Sequence, residues 1–177
     1  MHTDFKTKPN NASIEIVEYN TNWPAQYLIE RDILQAALAP WLIGDIEHIG
    51  STSVIGLVAK PVIDIMAPVA SLEGSRGAIA AAEAAGYCFY PYKPGEMHWF
   101  CKPSPEVRTH HLHLVPLGSR RWIEQTAFRD ALRQNPSLAH VYALLKRRLA
   151  LDFANDREAY TDAKAPFILR VLAGHKT

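Results

Sequence analysis

The chain has 177 residues, a nearly balanced charge of 19 Lys+Arg against 18 Asp+Glu, and 48% hydrophobic residues. That is enough chain to bury one self-sufficient core, with too little excess charge of either sign to advertise nucleic acid or an anionic membrane as its partner. Only Cys88 and Cys101 are cysteines, in apolar surroundings that read as buried thiols, which argues against a disulfide scaffold or a cysteine zinc site. No apolar run is long enough to span a bilayer.

Residues 1–12 are polar, contain Pro9-Asn10-Asn11 and lack the apolar segment of a secretory signal. They are expected to be a loose N-terminal arm on a cytoplasmic protein. Residues 13–177 read as a single domain. Alternation predicts a strand over 13–19. Asn22-Trp23-Pro24 signals a helix start, with Asn22 as N-cap and the helix running to about Leu38. Strands are expected over 43–49 and 62–67, the second opened by Pro61. An alanine-rich helix over 71–85 should end on Gly86. Three further strands follow, over 87–90, 97–102 and 109–115. From about 119 to 173 the pattern turns wholly helical: a helix over 121–133, another opened by Pro136, and a last one over 157–172. The result is an α+β domain whose sheet is backed by C-terminal helices.

The chemistry concentrates between Glu47 and Ala67, EHIGSTSVIGLVAKPVIDIMA. Asp64 is an acid inside an apolar strand, where burial is costly without a partner. It calls for hydrogen bonds, an ion pair with Lys60 or an arginine, or a cation. Gly50-Ser51-Thr52-Ser53 forms a turn suited to holding phosphate through hydroxyls and outward N–H groups, or a plain helix cap. Lys60 is placed to clamp the same phosphate. Glu47 and His48 point to opposite faces of their strand, so one of them should face the pocket. In RTHHLHLV, His111 and His113 share one face of a strand and can chelate a metal, hold a phosphate or serve as a general base. If that strand lies beside the Asp64 strand, all three converge. Elsewhere, Lys146, Arg147 and Arg148 read as a solvent-facing basic run, Arg108 and Arg120-Arg121 as loop charges. Lys164, near Tyr160 and Phe167, is within reach of the sheet.

Three blocks, EHIGSTSVIGLVAKPVIDI, RTHHLHLVPLGS and FRDALRQNPSLAHVYALLKRRLA, taken together resemble the GrpB family, also called UPF0157, from about Ile14 to Leu172. The resemblance implies membership of the nucleotidyltransferase superfamily, with a DNA-polymerase-β-like mixed sheet. In that superfamily a Gly-Ser turn grips a triphosphate and three strand acids hold two divalent ions. Here Gly50-Ser51 matches the turn and Asp64 matches one acid. Met66 stands where the second acid would be, and the third acid's strand looks like the one carrying His111 and His113. The implied function is transfer of a nucleotidyl or phosphoryl group from a nucleotide or other phosphorylated small molecule to a small acceptor, with a divalent metal (Mg, Mn or Zn). A catalytically inactive nucleotide or phosphometabolite binder and a metal-dependent phosphohydrolase are the alternatives.

Overall fold

A computed structural model describes residues 13–174. In chain order the elements are α1 (Trp23–Leu38), β1 (Glu47–Ile49), a 3₁₀ turn (Ser51–Ser53), β2 (Ile63–Val69), α2 (Gly77–Ala84), β3 (Cys88–Tyr90), β4 (His98–Pro103), β5 (Arg108–Pro116), α3 (Arg120–Gln134), α4 (Pro136–Asp152), α5 (Arg157–Ala163) and α6 (Ala165–Gly174). The strands form one mixed sheet in the order β1-β2-β5-β4-β3. Its central pair, β2 and β5, is parallel, and every other pairing is antiparallel. The link between the parallel strands runs through α2, β3 and β4.

Both sheet faces are covered, which is why β2 reads as an almost unbroken apolar run. On one face Ile63, Ile65, Ala67, Leu112, Leu114 and Phe100 pack beneath α1 and α2. On the other, Ile49, Met66, Trp99 and Cys101 pack with Met97, Val115 and Trp122 of α3. The helical third has its own core, in which Tyr142 stacks on Phe167 at 5.1 Å between ring centroids and meets the edge of Phe128 at 5.2 Å. Val54 and Leu57, from the loop after the 3₁₀ turn, enter that core and tie the bundle to the sheet.

The helix ends follow their local chemistry. Ser119, Asn135 and Asp156 each accept a backbone N–H at the start of α3, α4 and α5. Gly86, at φ 90°, closes α2: its N–H and that of Tyr87 return to the carbonyls of Glu83 and Ala82.

Several expectations are corrected. The alternating segment 13–19 makes a single bridge, Val17 to Ala59, and its Ile14 N–H goes instead to the Ala154 carbonyl beyond α4. The strand expected over 43–49 shortens to Glu47–Ile49, preceded by a bridge from Leu42 to Val69. Asn22 makes no side-chain cap; its own N–H is instead accepted by Asn20 Oδ1 at 2.9 Å, in a turn ahead of the helix. Helix α2 starts at Gly77, after turns in which Ser71 Oγ accepts the Gly74 N–H. The last helix is two helices, broken at Lys164, since Pro166 has no N–H to continue the ladder. The arm expected over 1–12 lies outside the described residues.

Candidate functional site

Parallel pairing sets Asp64 directly beside His111 and Met66 beside His113. Side chains alternate across a sheet, so the register puts Asp64, His111 and His113 on one face. His111 Nδ1 lies 2.9 Å from Asp64 Oδ1. An ionised carboxylate only accepts, so His111 Nδ1 carries the proton and donates. His113 Nε2 is 3.7 Å from the same oxygen, and its Nδ1 faces Met97 Sδ at 3.3 Å and the Arg121 guanidinium at 3.5 Å. Each of the three residues offers one ligand atom, and those atoms lie within 4.8 Å of one another. Both Nε2 atoms are buried without a hydrogen-bond partner.

Burial would push the Asp64 carboxyl up, but the hydrogen bond with His111 and the nearness of both imidazoles hold it far below the usual carboxylate range. Burial pushes the His113 imidazole down, against the pull of Asp64. At neutral pH the centre is therefore a carboxylate beside a neutral His113.

Gly50 explains the turn. Its φ of 71° and ψ of −174° belong to a region that side chains essentially do not enter. A Cβ there would stand 2.5 Å from Asp64 Oδ2, so the missing methyl is the space the carboxylate occupies. Beyond it, Ser51 Oγ accepts a hydrogen bond from Lys146 Nζ at 2.9 Å, and Lys146 also donates to the Val58 carbonyl. The other two hydroxyls of the turn, expected to hold phosphate, have partners within the protein. Ser53 Oγ donates to the Gly50 carbonyl at 2.6 Å, and Thr52 Oγ1 pairs with His48 Nε2 at 3.0 Å and the Val62 carbonyl at 3.3 Å.

Neither Glu47 nor His48 joins the centre. Glu47, opposite Met66 on the Asp64 face, accepts from Arg129 Nη1 at 2.5 Å. His48, on the other face, stacks on Tyr27 with ring centroids 4.6 Å apart. Met66, where a second acid was sought, is fully buried in the core.

The cations around the centre were partly hidden in the sequence. Lys146, read as solvent-facing, is 2% exposed. Lys60 and Lys164 both lie over the Tyr160 ring, at 4.3 and 4.4 Å from its centroid. Burial lowers all three ammonium groups, Lys60 to about 8, Lys146 to about 7 and Lys164 to about 8. Repulsion deepens two of these shifts: Lys164 and Arg157 act on Lys60, and Lys164 and Arg147 on Lys146. The acid opposing the shift at Lys60 and Lys164 is Asp64. Arg157 adds a buried Nε with no partner. Lys60 and the reach of Lys164 were legible beforehand, and Lys146 was not; the spacing from Tyr142 to Lys146, one helical turn, was the available signal for the inward face of α4. Arg108 lies over the Trp99 ring at 5.2 Å and Arg121 pairs with Glu96 at 3.2 Å, whereas Arg120 is a surface charge.

A five-stranded mixed sheet carrying one carboxylate and two imidazoles on its central parallel pair, with C-terminal helices supplying cations, defines the class of protein. The family model described as GrpB protein matches residues 13–173. A UPF0157 protein of Pseudomonas aeruginosa is 37% identical over 164 residues, covering 90% of this chain and 66% of the relative. A UPF0157 protein of Halalkalibacterium halodurans is 33% identical over 167 residues, covering 93% and 84%. The crystal structure of conserved protein GrpB from Enterococcus faecalis superimposes with a TM-score of 0.81 at 31% identity, over 90% of this chain and 96% of that one. The chain belongs to the GrpB family, UPF0157, and spans just under two thirds of the Pseudomonas relative's length. Among the described residues no helix is long and apolar enough to cross a membrane.

Proposed function

We propose that this chain is a cytoplasmic, metal-dependent transferase of the nucleotidyltransferase superfamily, moving a nucleotidyl or phosphoryl group from a nucleotide or related phosphorylated molecule to a small acceptor. The observation that carries the reading is the meeting of Asp64, His111 and His113 beside the Gly50-Ser51 turn, with Lys60, Lys146 and Lys164 close by.

The three residues fit a divalent ion. Their ligand atoms lie within 4.8 Å of one another, and two of the buried ring nitrogens are unpartnered, a cost that ligation would remove. One carboxylate with two imidazoles suits Mn²⁺ or Zn²⁺ better than Mg²⁺, which prefers oxygen. Such an ion would polarise a phosphoryl group and offset the charge that builds on its oxygens during in-line attack. The rest falls to the chain. His111 fixes the carboxylate through its Nδ1–H. Lys146 steadies Ser51 at the mouth of the turn. Lys60, Lys164 and Arg157 supply positive charge, and Asp64 is the acid that acts on the two lysines, so an incoming phosphate would be drawn to them.

One observation favours a second reading. Met66 is buried where a second acid would stand, and Glu47, the acid opposite it, is held by Arg129. A single ion without a second carboxylate suits a protein that binds the phosphorylated molecule and does not turn it over. Melting the protein with a panel of nucleoside triphosphates, with and without Mn²⁺, tests binding. Pyrophosphate release that depends on an added acceptor supports the transferase, and release without acceptor points to a phosphohydrolase. Stabilisation of several kcal/mol at saturating ligand with no release supports the binder. No nucleotide- or metal-linked stabilisation in any combination would rule out all three.

A further inference from the structure

A concavity lies away from the Asp64 centre. It measures about 850 Å³ and is walled by α1, the loop that follows the 3₁₀ turn, the end of α3 and one side of α4. His48 and Thr52, which line it, connect to the sheet face opposite Asp64. We propose that this cavity is a second binding site, for a small amphipathic anion with an apolar or aromatic body and one negatively charged head.

Three observations support this. First, the volume falls within the range of small-molecule sites, about 300–1,000 Å³. Second, three large apolar side chains left in water meet on its walls from three separate elements: Leu28 of α1 at 45% exposure, Ile55 of the loop at 84% and Leu144 of α4 at 55%. Scattered singly they would mean nothing; converging on one concavity they make a surface that a ligand would dehydrate. Third, the polar groups are asymmetric. Arg133 spends Nε and Nη2 on the Ser53 carbonyl, at 3.0 and 2.9 Å, while its Nη1 stands 3.9 Å from Asp130, too far for a hydrogen bond. Arg147 also lines the wall, paired with Glu18 in an exposed contact that a ligand can displace. Glu18 is the single carboxylate among the described residues that line it, so the charge balance favours an anionic head.

The test uses the full chain and a probe of the stated chemistry, 1-anilinonaphthalene-8-sulfonate, followed by fluorescence on the folded protein. Saturable binding at one site is expected, displaced by decanoate at least tenfold more effectively than by uncharged decanol. Ile55→Ser, at a position too exposed to threaten folding, and Leu144→Ser should each weaken the probe by about tenfold, the share of one buried apolar side chain. Arg147→Gln should erase the preference for decanoate. Asp64→Asn should leave all of this unchanged, which separates the outcome from that of the metal centre. Probe binding indifferent to Ile55→Ser and Leu144→Ser, or equal displacement by decanol and decanoate, would overturn the proposal. So would a dimer in sedimentation that Ile55→Ser dissociates, since a second copy would then be the occupant.

Discussion

Replacing Gly50 by alanine tests the tie between the turn and the carboxylate. Two costs combine. The backbone conformation, φ 71° and ψ −174°, is one that only glycine holds without strain, worth about 1–3 kcal/mol for another residue. The new methyl would also stand 2.5 Å from Asp64 Oδ2, closer than any relaxed contact, so the carboxylate must move. Moving it sacrifices the 2.9 Å bond from His111, a hydrogen bond to a charged group worth about 1.5–3 kcal/mol. Together the loss should be about 3–5 kcal/mol. For a chain of this size that lowers Tm by roughly 6–20 °C, and the urea midpoint should fall at constant slope. Asp64→Ala separates the two costs. It removes the clashing oxygen and leaves only Asp64 Cβ near the methyl, at 3.1 Å, which is tight but tolerable. In that background Gly50→Ala should cost about 1.5–3 kcal/mol less than in the native chain, the share of the His111 bond that is no longer there to lose. Loss of under 1 kcal/mol in the native background, or strict additivity with Asp64→Ala, would refute the reasoning.

Three other outcomes are expected. Burial holds His48 down to about 4, so below its ordinary pKa of 6.5 the unfolded chain takes up the proton first and stability falls as pH drops from 6.5 towards 4. The full loss is about 3 kcal/mol, and His48→Gln should flatten urea midpoints over that window; an unchanged pH profile would show that His48 is not the group responsible. Arg129→Met, which leaves Glu47 without its 2.5 Å partner and the His48 carbonyl without its 3.1 Å donor, should cost about 3–5 kcal/mol, and Glu47→Gln in the same chain should recover part of it. Equal stability of single and double variants would contradict that. Asp64→Asn should abolish any Tm increase produced by Mn²⁺ while leaving the fold intact by circular dichroism; a retained metal response would remove Asp64 from the site.

The site was legible where it depended on strand periodicity. An acid in β2 and the spacing of His111 and His113 in β5 fixed which side chains share a face once the strands adjoin. What the sequence could not state was that adjacency, because nothing local encodes the parallel register of Asp64 against His111. The same gap hid Lys146. Beside Arg147 and Arg148 it looks like one more solvent charge, and only the packing of α4 turns it inward to Ser51. For Thr52 and Ser53 the residue types suggest a phosphate, and what they do not reveal is that the tight turn bonds their hydroxyls to Gly50, His48 and Val62. The split at Pro166 was readable, since proline cannot sit in a helix interior without loss, although the apolar spacing ran through it. β1 is short although β2 runs on beside it to Val69, because Pro68 of β2 has no N–H for the ladder and bridging resumes only at Leu42, which alternation alone does not reveal.

The parallel pairing of β2 with β5 bears on how the molecule comes into being. Asp64 and His111 are 47 positions apart, and an entire helix and two strands must find their places before the two can touch. Two of the three lysines, Lys146 and Lys164, arrive later still, from beyond position 136. A ribosome-bound nascent chain halted after β5 would own Asp64, His111, His113 and Lys60 without Lys146, Arg157 and Lys164. Competence would therefore be the last property acquired during synthesis.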